Sequence, residues 1–91
     1  MNEKQFAAQI RDLAIILNWR YYHTWNSLHS ASGYPDVTLV RGSRLILAEL
    51  KTDKGKVTPQ QQGWLDALKE TKAEVYLWRP ADFDNILEIL K

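Results

Sequence analysis

The sequence predicts an α/β fold, a mixed β-sheet flanked by helices, with its elements in the order α-β-β-β-α-β-α. Three segments carry apolar residues at helical spacing, and four short segments are rich in β-branched and aromatic residues. A two-residue loop that begins with glycine joins the second and third strands. With 91 residues, of which 45% are hydrophobic, the chain fits a single domain over residues 1–91 with one modest core.

The predicted helices are recognised by their apolar faces and by their ends. The first covers residues 3–17, where apolar side chains recur three and four positions apart. The second begins at Thr58 as N-cap, with Pro59 at the first helical position and Gln61 closing a capping box. Asp82 is expected to cap the third helix. Each helix therefore presents one apolar face to the sheet.

The predicted strands are short and are separated by polar or glycine-containing segments. They cover residues 19–25, 36–41, 44–51 and 73–78. Residues 26–34 and 52–57 are expected to be loops. Pro80 marks the end of the last strand, because proline cannot donate to a ladder.

Composition excludes several classes of protein. The chain has no cysteine, which rules out a disulfide framework, a thiolate metal site and a cysteine nucleophile. No basic segment leads into an apolar run, so no secretory signal is expected. The longest apolar stretch, residues 13–17, is far too short to span a bilayer. We therefore expect a cytoplasmic protein without a membrane partner.

The distribution of charge is more informative than its total. The net charge of +1 indicates nothing about nucleic acid. Several basic residues lie close together in the chain, and the candidate DNA contacts among them are Arg41, Arg44, Lys54 and Lys56. Such a stripe is compatible with a phosphate-binding face and also with a solvated loop. For the two arginines, which oppose each other across the glycine turn, the solubility of the hairpin tip is an equal alternative.

The glycine turn fixes the register of the hairpin around it. Gly42-Ser43 is typical of a type II′ turn, and counting outwards from it brings Asp36 opposite Glu49. Side chains alternate between the two faces of a strand, so Lys51 shares the face of Glu49. Directly opposed residues also share a face, which adds Asp36. The sequence therefore predicts two carboxylates with Cβ atoms about 4.5–5.5 Å apart and a lysine beside them.

This juxtaposition is typical of a metal-dependent hydrolase site. The two carboxylates repel each other by roughly 3 kcal/mol at an effective dielectric constant of 20, and a bridging divalent cation would relieve that cost. Carboxylates completed by water and a substrate phosphate suit Mg²⁺, and Lys51 would then orient the attacking water or offset charge on the phosphate. The alternative is an exposed acid–lysine pair. Leu45 and Leu47 share the face of Glu49 and favour a packed face instead.

Other polar residues have both a structural and a functional interpretation. Gln61 closes the capping box, and it also shares the apolar face of its helix, from which it can point towards the acids. His23 and His29 precede the hairpin and are more often structural or solvent-facing than part of a site. Glu3 and Gln9 reach the site only if the first helix packs beside the hairpin.

A family resemblance follows from these residues. Gly33-Tyr34-Pro35-Asp36 followed by Glu49-Leu50-Lys51 resembles the PD…ExK signature of the PD-(D/E)xK, or restriction-endonuclease-like, superfamily. Residues 58–65 (TPQQQGWL), together with residues 22–24 and 75–80, are similar to the VRR-NUC family in particular. The resemblance covers nearly the whole chain, and its ordered set of motifs is far more specific than ExK alone. The chain looks like the small stand-alone VRR-NUC proteins of phages and bacteria.

The resemblance implies a PD-(D/E)xK nuclease core and phosphodiester hydrolysis that depends on Mg²⁺ or Mn²⁺. It implies that Asp36 and Glu49 bind the metal together with the backbone carbonyl of Leu50. It further implies that Lys51 is the catalytic lysine and Gln61 an accessory catalytic residue. Stand-alone members are associated with branched DNA, such as Holliday junctions, and with homodimers.

The first helix of many superfamily members also carries an acid. Glu3 and Asp12 are the acids available here, and the resemblance does not choose between them. We expect a metal-dependent, structure-selective DNA endonuclease that acts as a homodimer. A nickase or exonuclease that needs a partner protein, a non-catalytic nucleic-acid-binding module and a small structural protein are the alternatives. Binding alone does not require two opposed acids, which argues against the module.

Overall fold

The computed structural model describes residues 1–25 and 31–91 of the chain. Its elements are α1 (Glu3–Ile16), β1 (Arg20–His23), β2 (Val37–Arg41), β3 (Arg44–Leu50), α2 (Pro59–Lys69), β4 (Glu74–Trp78) and α3 (Phe83–Leu90), with a 3₁₀ turn at Pro80–Asp82. The sheet has the strand order β1-β2-β3-β4. The first two pairings are antiparallel and the last is parallel, so the predicted mixed sheet is confirmed. Part of the predicted loop over residues 26–34, including His29, lies outside the described residues.

The first helix has a cap at each end. The side chain of Asn2 accepts a hydrogen bond from the N–H of Gln5 at 2.8 Å, and the side chain of Gln5 accepts one from Asn2 at 2.9 Å. This capping box starts α1. Asn18 ends it with a φ of 68°, the left-handed conformation that asparagine tolerates. The chain then reverses into β1, which brings β1 alongside α1.

The hairpin of β2 and β3 has the predicted register. Arg41 pairs with Arg44 at the turn and Val37 pairs with Ala48 at the far end of the ladder. Gly42 has a φ of 60°, while that of Ser43 is not positive, as a type II′ turn requires. A parallel β3–β4 pair needs a crossover, which the segment containing α2 provides.

The core lies on one face of the sheet, between the strands and the helices α1 and α3. Its members are buried apolar side chains: Phe6, Ile10, Ala14, Trp19, Val37, Leu39, Ile46, Ala48, Leu50, Trp78, Ile86 and Leu90. The opposite face is covered only in part. Leu47 is buried there, but Leu45 is 41% exposed, so the expectation that both leucines lie on a packed face is wrong for Leu45. The reason is that α2 packs nearest to β4 and leaves the hairpin tip open.

The second helix starts as predicted. The N–H of Gln61 donates to the hydroxyl of Thr58 at 3.2 Å, and the Oε1 atom of Gln61 accepts from the N–H of Thr58 at 2.9 Å. Pro59 occupies the first turn. Leu65 is the one buried residue of this helix, so α2 lies on the sheet more loosely than its apolar pattern suggests.

The third helix departs from prediction at its start. Asp82 does not cap α3 with its side chain, because its Oδ2 atom accepts from the backbone N–H of Arg79 at 2.9 Å. The physical reason is its backbone: φ −87° and ψ 4° are not the extended values from which a side chain folds forward onto a helix. A 3₁₀ turn from Pro80 leads into α3 instead. Among the described residues, no helix has the length and apolar character needed to cross a membrane.

Candidate active site

The two predicted acids lie together where β2 begins and β3 ends. Asp36 directly precedes β2, and its Oδ2 atom accepts a hydrogen bond from the backbone N–H of Leu50 at 2.8 Å. Its own carbonyl accepts from the N–H of Thr24 at 2.8 Å. The Val37–Ala48 pair places the next residues outwards, Asp36 and Glu49, side by side. The structure therefore brings the two acids together, as the turn register predicted.

Glu49 is a buried acid without a hydrogen-bond partner. The residue is 1% exposed, and neither carboxylate oxygen has a partner among the described residues. Burial is the largest cause that raises the pKa of Glu49, from 4.5 to about 9, and the nearby carboxyl of Asp36 adds to it. Lys51 acts in the opposite direction without cancelling these effects. A buried charge needs a partner, and a divalent cation beside both acids would supply it.

Lys51 is held close to Glu49 by backbone contacts and by a loop. The residue is 9% exposed and follows β3, where its N–H donates to the carbonyl of Trp78 at 3.0 Å. A Cβ at Gly55 would lie 3.3 Å from the Cδ atom of Lys51, so the loop passes directly over this side chain. The lysine is thus confined beside the acids.

Arg79 fixes that loop from the end of β4. Its Nη1 atom donates to the carbonyl of Thr52 at 2.6 Å and to that of Gly55 at 2.8 Å. Lys54 and Lys56, two of the predicted DNA contacts, are exposed on the same loop. They therefore lie on a short, anchored segment that directly follows Lys51.

A cleft of about 410 Å³ opens beside Asp36, between α1 and β1. Glu3 lines this cleft and further raises the pKa of Glu49, so it is the acid of the first helix that approaches the pair. Asp12 instead has a side chain that is 64% exposed, and it pairs with Arg11 at 3.1 Å. Helical spacing could have indicated Glu3 in the sequence. Glu3 lies one turn before Ala7, so the two share a face of α1, and Ala7 also lines the cleft.

The acids form a pair rather than a compact triad. Within residues 1–25 and 31–91 no group of three or more His, Asp or Glu side chains has the arrangement that holds a metal ion. Glu3 therefore lies near the pair of Asp36 and Glu49, not in one tight cluster with it. A cation bound by two carboxylates would take its remaining ligands from water, substrate and backbone oxygen, which suits Mg²⁺.

The first turn of α2, which carries Gln61, packs on the segment that precedes Asp36. Gly33 has a φ of 93°, and a Cβ there would lie 2.6 Å from the carbonyl carbon of Gln60 and 2.8 Å from the backbone nitrogen of Gln61. Gly33 thus allows the close approach of this turn to the chain that leads into Asp36. Trp64 strengthens this contact, since its indole N–H donates to a carbonyl of the same segment at 3.2 Å. The capping bond of Gln61 uses Oε1, and its amide NH₂ group is a separate donor.

Arg41, a predicted DNA contact, is engaged in holding helix ends together. Its Nη1 atom donates to the carbonyls of Leu17 and Leu90, both at 2.9 Å, and its Nη2 atom donates to that of Lys91 at 2.8 Å. The guanidinium also stacks over Trp19, 4.5 Å from the ring centre. Carbonyls at the ends of α1 and α3 attract such a cation. A structural role therefore accounts for Arg41.

Arg44 is engaged in the same way. Its Nε and Nη2 atoms bind both oxygens of Glu74 at 2.8 and 2.7 Å, and its Nη1 atom donates to the carbonyl of Ile89 at 2.9 Å. Arg44 pairs with Arg41, and Asp36 lies five residues before Arg41 along the chain. The distance along the strand between Arg41 and Asp36 is therefore roughly 17 Å. Both arginines thus lie at the opposite end of the hairpin from the acids, with their donors bound to groups of the protein itself.

Among the described residues, His23 is the histidine at the cleft. His23 lines it and lies 3.1 Å from the carbonyl of Thr24 through Nδ1. Tyr21, Lys4 and Arg11, which the sequence did not single out, line it as well. The sequence could have indicated only some of these residues, because alternation along β1 places Tyr21 and His23 on one face. Nothing in the sequence placed that face against α1.

The comparisons with known proteins agree with this architecture. The family described as the VRR-NUC domain matches residues 2–81 of the chain. The chain therefore belongs to the VRR-NUC family, a nuclease-type domain family. No curated protein matches the chain significantly.

A solved structure has the same fold. It is described as a VRR_NUC domain protein and superposes with a TM-score of 0.74, over 99% of this chain and 85% of that one. The two sequences are 16% identical. At that identity the likeness concerns the fold, and it supports the α/β assignment made from the sequence.

Proposed function

We propose that this protein is a metal-dependent DNA nuclease whose single domain, residues 1–91, hydrolyses phosphodiester bonds at the Asp36–Glu49 pair. The observation that carries the proposal is the burial of Glu49 beside a second acid and a buried lysine, with neither of its oxygens hydrogen-bonded to any part of the chain that the structure describes. A stable fold rarely keeps such a group unless something binds it. Membership of a nuclease-type family supports the same chemistry.

The residues present fit a Mg²⁺ ion, with Mn²⁺ as an alternative. Asp36 and Glu49 would hold it through carboxylate oxygens, and the backbone carbonyl of Leu50 would be a further ligand. When bound, the cation polarises the phosphate and makes water more acidic. Glu3, at the mouth of the cleft, is suited to accept a hydrogen bond from water in that shell.

The remaining residues of the site act on water and phosphate. The ammonium group of Lys51, confined beside Glu49, is placed to orient the attacking water and to offset negative charge that builds on the phosphate oxygens. Gln61 has an amide donor that its helix cap does not use, and it serves as an accessory contact. Lys54 and Lys56 supply positive charge for the DNA backbone on the adjoining loop.

The proposed substrate is branched DNA, such as a Holliday junction, and the proposed assembly is a homodimer. One site of this kind cuts one strand, so symmetric cutting of a four-way junction needs two sites related by a two-fold axis. The physical support is the small size of the domain, which favours an additional interface.

The decisive experiment is the cleavage of a labelled four-way junction with matched duplex and single-strand controls. Wild type and Lys51→Ala are compared in Mg²⁺, in Mn²⁺ and in EDTA. We expect metal-dependent cutting that Lys51→Ala abolishes. Failure of folded wild type to cut any substrate in either metal would overturn the proposal and favour a binding module or a nuclease that requires a partner. A Lys69→Ala variant, changed at an exposed lysine on α2, controls for the loss of charge alone.

A further inference from the structure

The α1–β1 cleft extends well beyond the acids. Its volume of about 410 Å³ is at the small end of the roughly 300–1,000 Å³ typical of ligand pockets. Helix α1 and strand β1 run in opposite directions from the turn at Asn18, so the cleft has two distinct ends. Glu3 and Asp36 lie at one end. Arg11, about two turns after Glu3 in α1, and Tyr21, near the start of β1, lie towards the other.

The cleft combines an aromatic ring with positive charge. Tyr21 is half-buried. Burial raises the pKa of its hydroxyl, Arg11 opposes that rise and Asp36 adds to it, so both charged side chains act on this hydroxyl. Lys4 also lines the cleft. It precedes Arg11 by seven residues, which puts both cations on one side of α1, roughly 10 Å apart along the axis.

We propose that this cleft is a subsite for one unpaired nucleotide of the cut strand, with the base on Tyr21 and the flanking phosphates at Lys4 and Arg11. The inference rests on the proposed nuclease function and specifies its substrate class. An aromatic surface flanked by cations is the composition that single-stranded nucleic-acid sites use. A cleft of this volume admits one nucleotide and excludes a duplex.

The existing partner of Arg11 does not prevent this role. Its contact with Asp12, at 3.1 Å, is between side chains that are 50% and 64% exposed. Surface ion pairs of this kind are weak and are screened by salt, so the guanidinium is available to a phosphate. The substrate class that follows is DNA with an unpaired nucleotide next to the scissile bond, as in a flap, a bulge or the crossover of a junction.

Binding tests the subsite independently of cleavage. Fluorescence anisotropy in Ca²⁺ compares a labelled single-stranded oligonucleotide with a blunt duplex of the same sequence. We expect wild type to favour the single strand, and Tyr21→Ala to weaken that binding by about 5- to 100-fold with little effect on the duplex. Tyr21→Phe keeps the ring and should bind as wild type does. Tyr22→Ala is the matched control, because the next residue of β1 is 61% exposed on the opposite face.

A second pair of variants covers the case in which Tyr21→Ala does not fold. Lys4→Gln and Arg11→Gln alter exposed side chains, and each should reduce the salt dependence of single-strand binding by about one phosphate contact. Unchanged single-strand affinity in Tyr21→Ala, or an unchanged salt slope in both charge variants, would overturn the subsite. So would a wild-type protein that binds duplex as tightly as single strand.

Cleavage separates failure of this inference from failure of the proposed function. Wild type is given a continuous duplex, the same duplex with a one-nucleotide bulge, and the single strand. Preferential cutting beside the unpaired nucleotide supports both proposals. Equal cutting of the continuous and bulged duplexes overturns the subsite and leaves the nuclease. No cutting, with the Tyr21-dependent preference for single strands intact, overturns the nuclease and leaves the subsite.

Discussion

The carboxylate of Asp36 is fastened to the backbone of Leu50 by a hydrogen bond of 2.8 Å. This bond joins the residue before β2 to the last residue of β3, beyond the last pair of the ladder. It uses one of the two carboxylate oxygens of Asp36, a residue that also lines the α1–β1 cleft. The carboxylate of Asp36 is therefore held by the backbone of the residue that follows Glu49.

The variant Asp36→Asn should remove the charge of this residue and keep its hydrogen bond to the backbone. Asparagine retains an oxygen that accepts from the N–H of Leu50, so the fold should persist. If Asp36 binds the metal, cleavage should fall about 100-fold or more, the scale on which one group that stabilises charge contributes. Thermal unfolding with and without Mg²⁺ should no longer differ. Asp66→Asn, on the exposed face of α2, is the control; equal losses in the two variants would contradict a role for Asp36.

Glu49 gives the metal-free protein a pH-dependent stability of definite sign. Its pKa rises from 4.5 to about 9 on folding, because of burial and Asp36, so between these values the folded chain holds a proton that the unfolded chain has released. The contribution to the free energy of unfolding is complete below the lower value and is lost as the pH rises through the upper one. Urea unfolding in EDTA across this range measures the decline. Glu49→Gln should remove it, and an identical decline in both proteins would count against the assignment.

The same proton should compete with the metal. A cation binds the ionised form of Glu49, so binding must displace the proton that the raised pKa retains at neutral pH. The affinity for Mg²⁺ should therefore increase with pH between neutrality and about 9, the value of that pKa. Calorimetry in two buffers of different ionisation enthalpy would detect the released proton. Binding without proton release would show that Glu49 is not a ligand, or that it is already ionised.

Gly33→Ala should destabilise the protein, whereas Gly63→Ala should not. At Gly33, a Cβ would lie 2.6 Å from the carbonyl carbon of Gln60, and the φ of 93° disfavours alanine. We expect a loss of more than about 1 kcal/mol and a weaker response to Mg²⁺, since this segment leads into Asp36. At Gly63, inside α2, an added Cβ would meet no packing neighbour within 4 Å among the described residues, so alanine should stabilise the helix by about 0.5–1 kcal/mol. Chemical denaturation of both variants measures the contrast.

Arg44→Ala should affect stability and leave DNA binding unchanged. The change removes two hydrogen bonds to Glu74 and one to Ile89. Because both side chains of the ion pair are about one-third exposed, we expect a loss of only about 1–2 kcal/mol. The salt dependence of DNA affinity should match that of wild type.

In contrast, the double change of Lys54 and Lys56 to glutamine should lower the salt dependence of DNA affinity by about two phosphate contacts without a loss of stability.

Local chemistry made the hairpin and the start of α2 predictable. A glycine-first turn fixes register, so two residues far from the turn could be paired by counting. A threonine, a proline and a glutamine in order fix a helix start, and the capping bonds of Thr58 and Gln61 form as expected. In both cases the interactions that decide the structure lie within a few residues of each other.

Tertiary packing decided what the sequence could not predict. The arginines of the turn were candidate phosphate contacts, yet Arg41 binds carbonyls that lie up to 50 residues away in sequence. The choice between Glu3 and Asp12 depended on how α1 rotates against the sheet, which no local pattern encodes. The backbone of Asp82 was set by the 3₁₀ turn that Pro80 begins. Each of these differences results from contacts between elements that are distant along the chain.

The contacts around Lys51 imply an order of events during folding. The two acids and the hydrogen bond between Asp36 and Leu50 belong to the β2–β3 hairpin, which closes locally and early. The lysine takes its place through Trp78 and Arg79, which lie 27 residues downstream of Lys51 and of Thr52, respectively. A chain that has formed only the hairpin therefore holds the acids without a fixed lysine. Under the proposed function, hydrolysis would therefore begin only once β4 has docked, and a partly folded chain would leave DNA uncut.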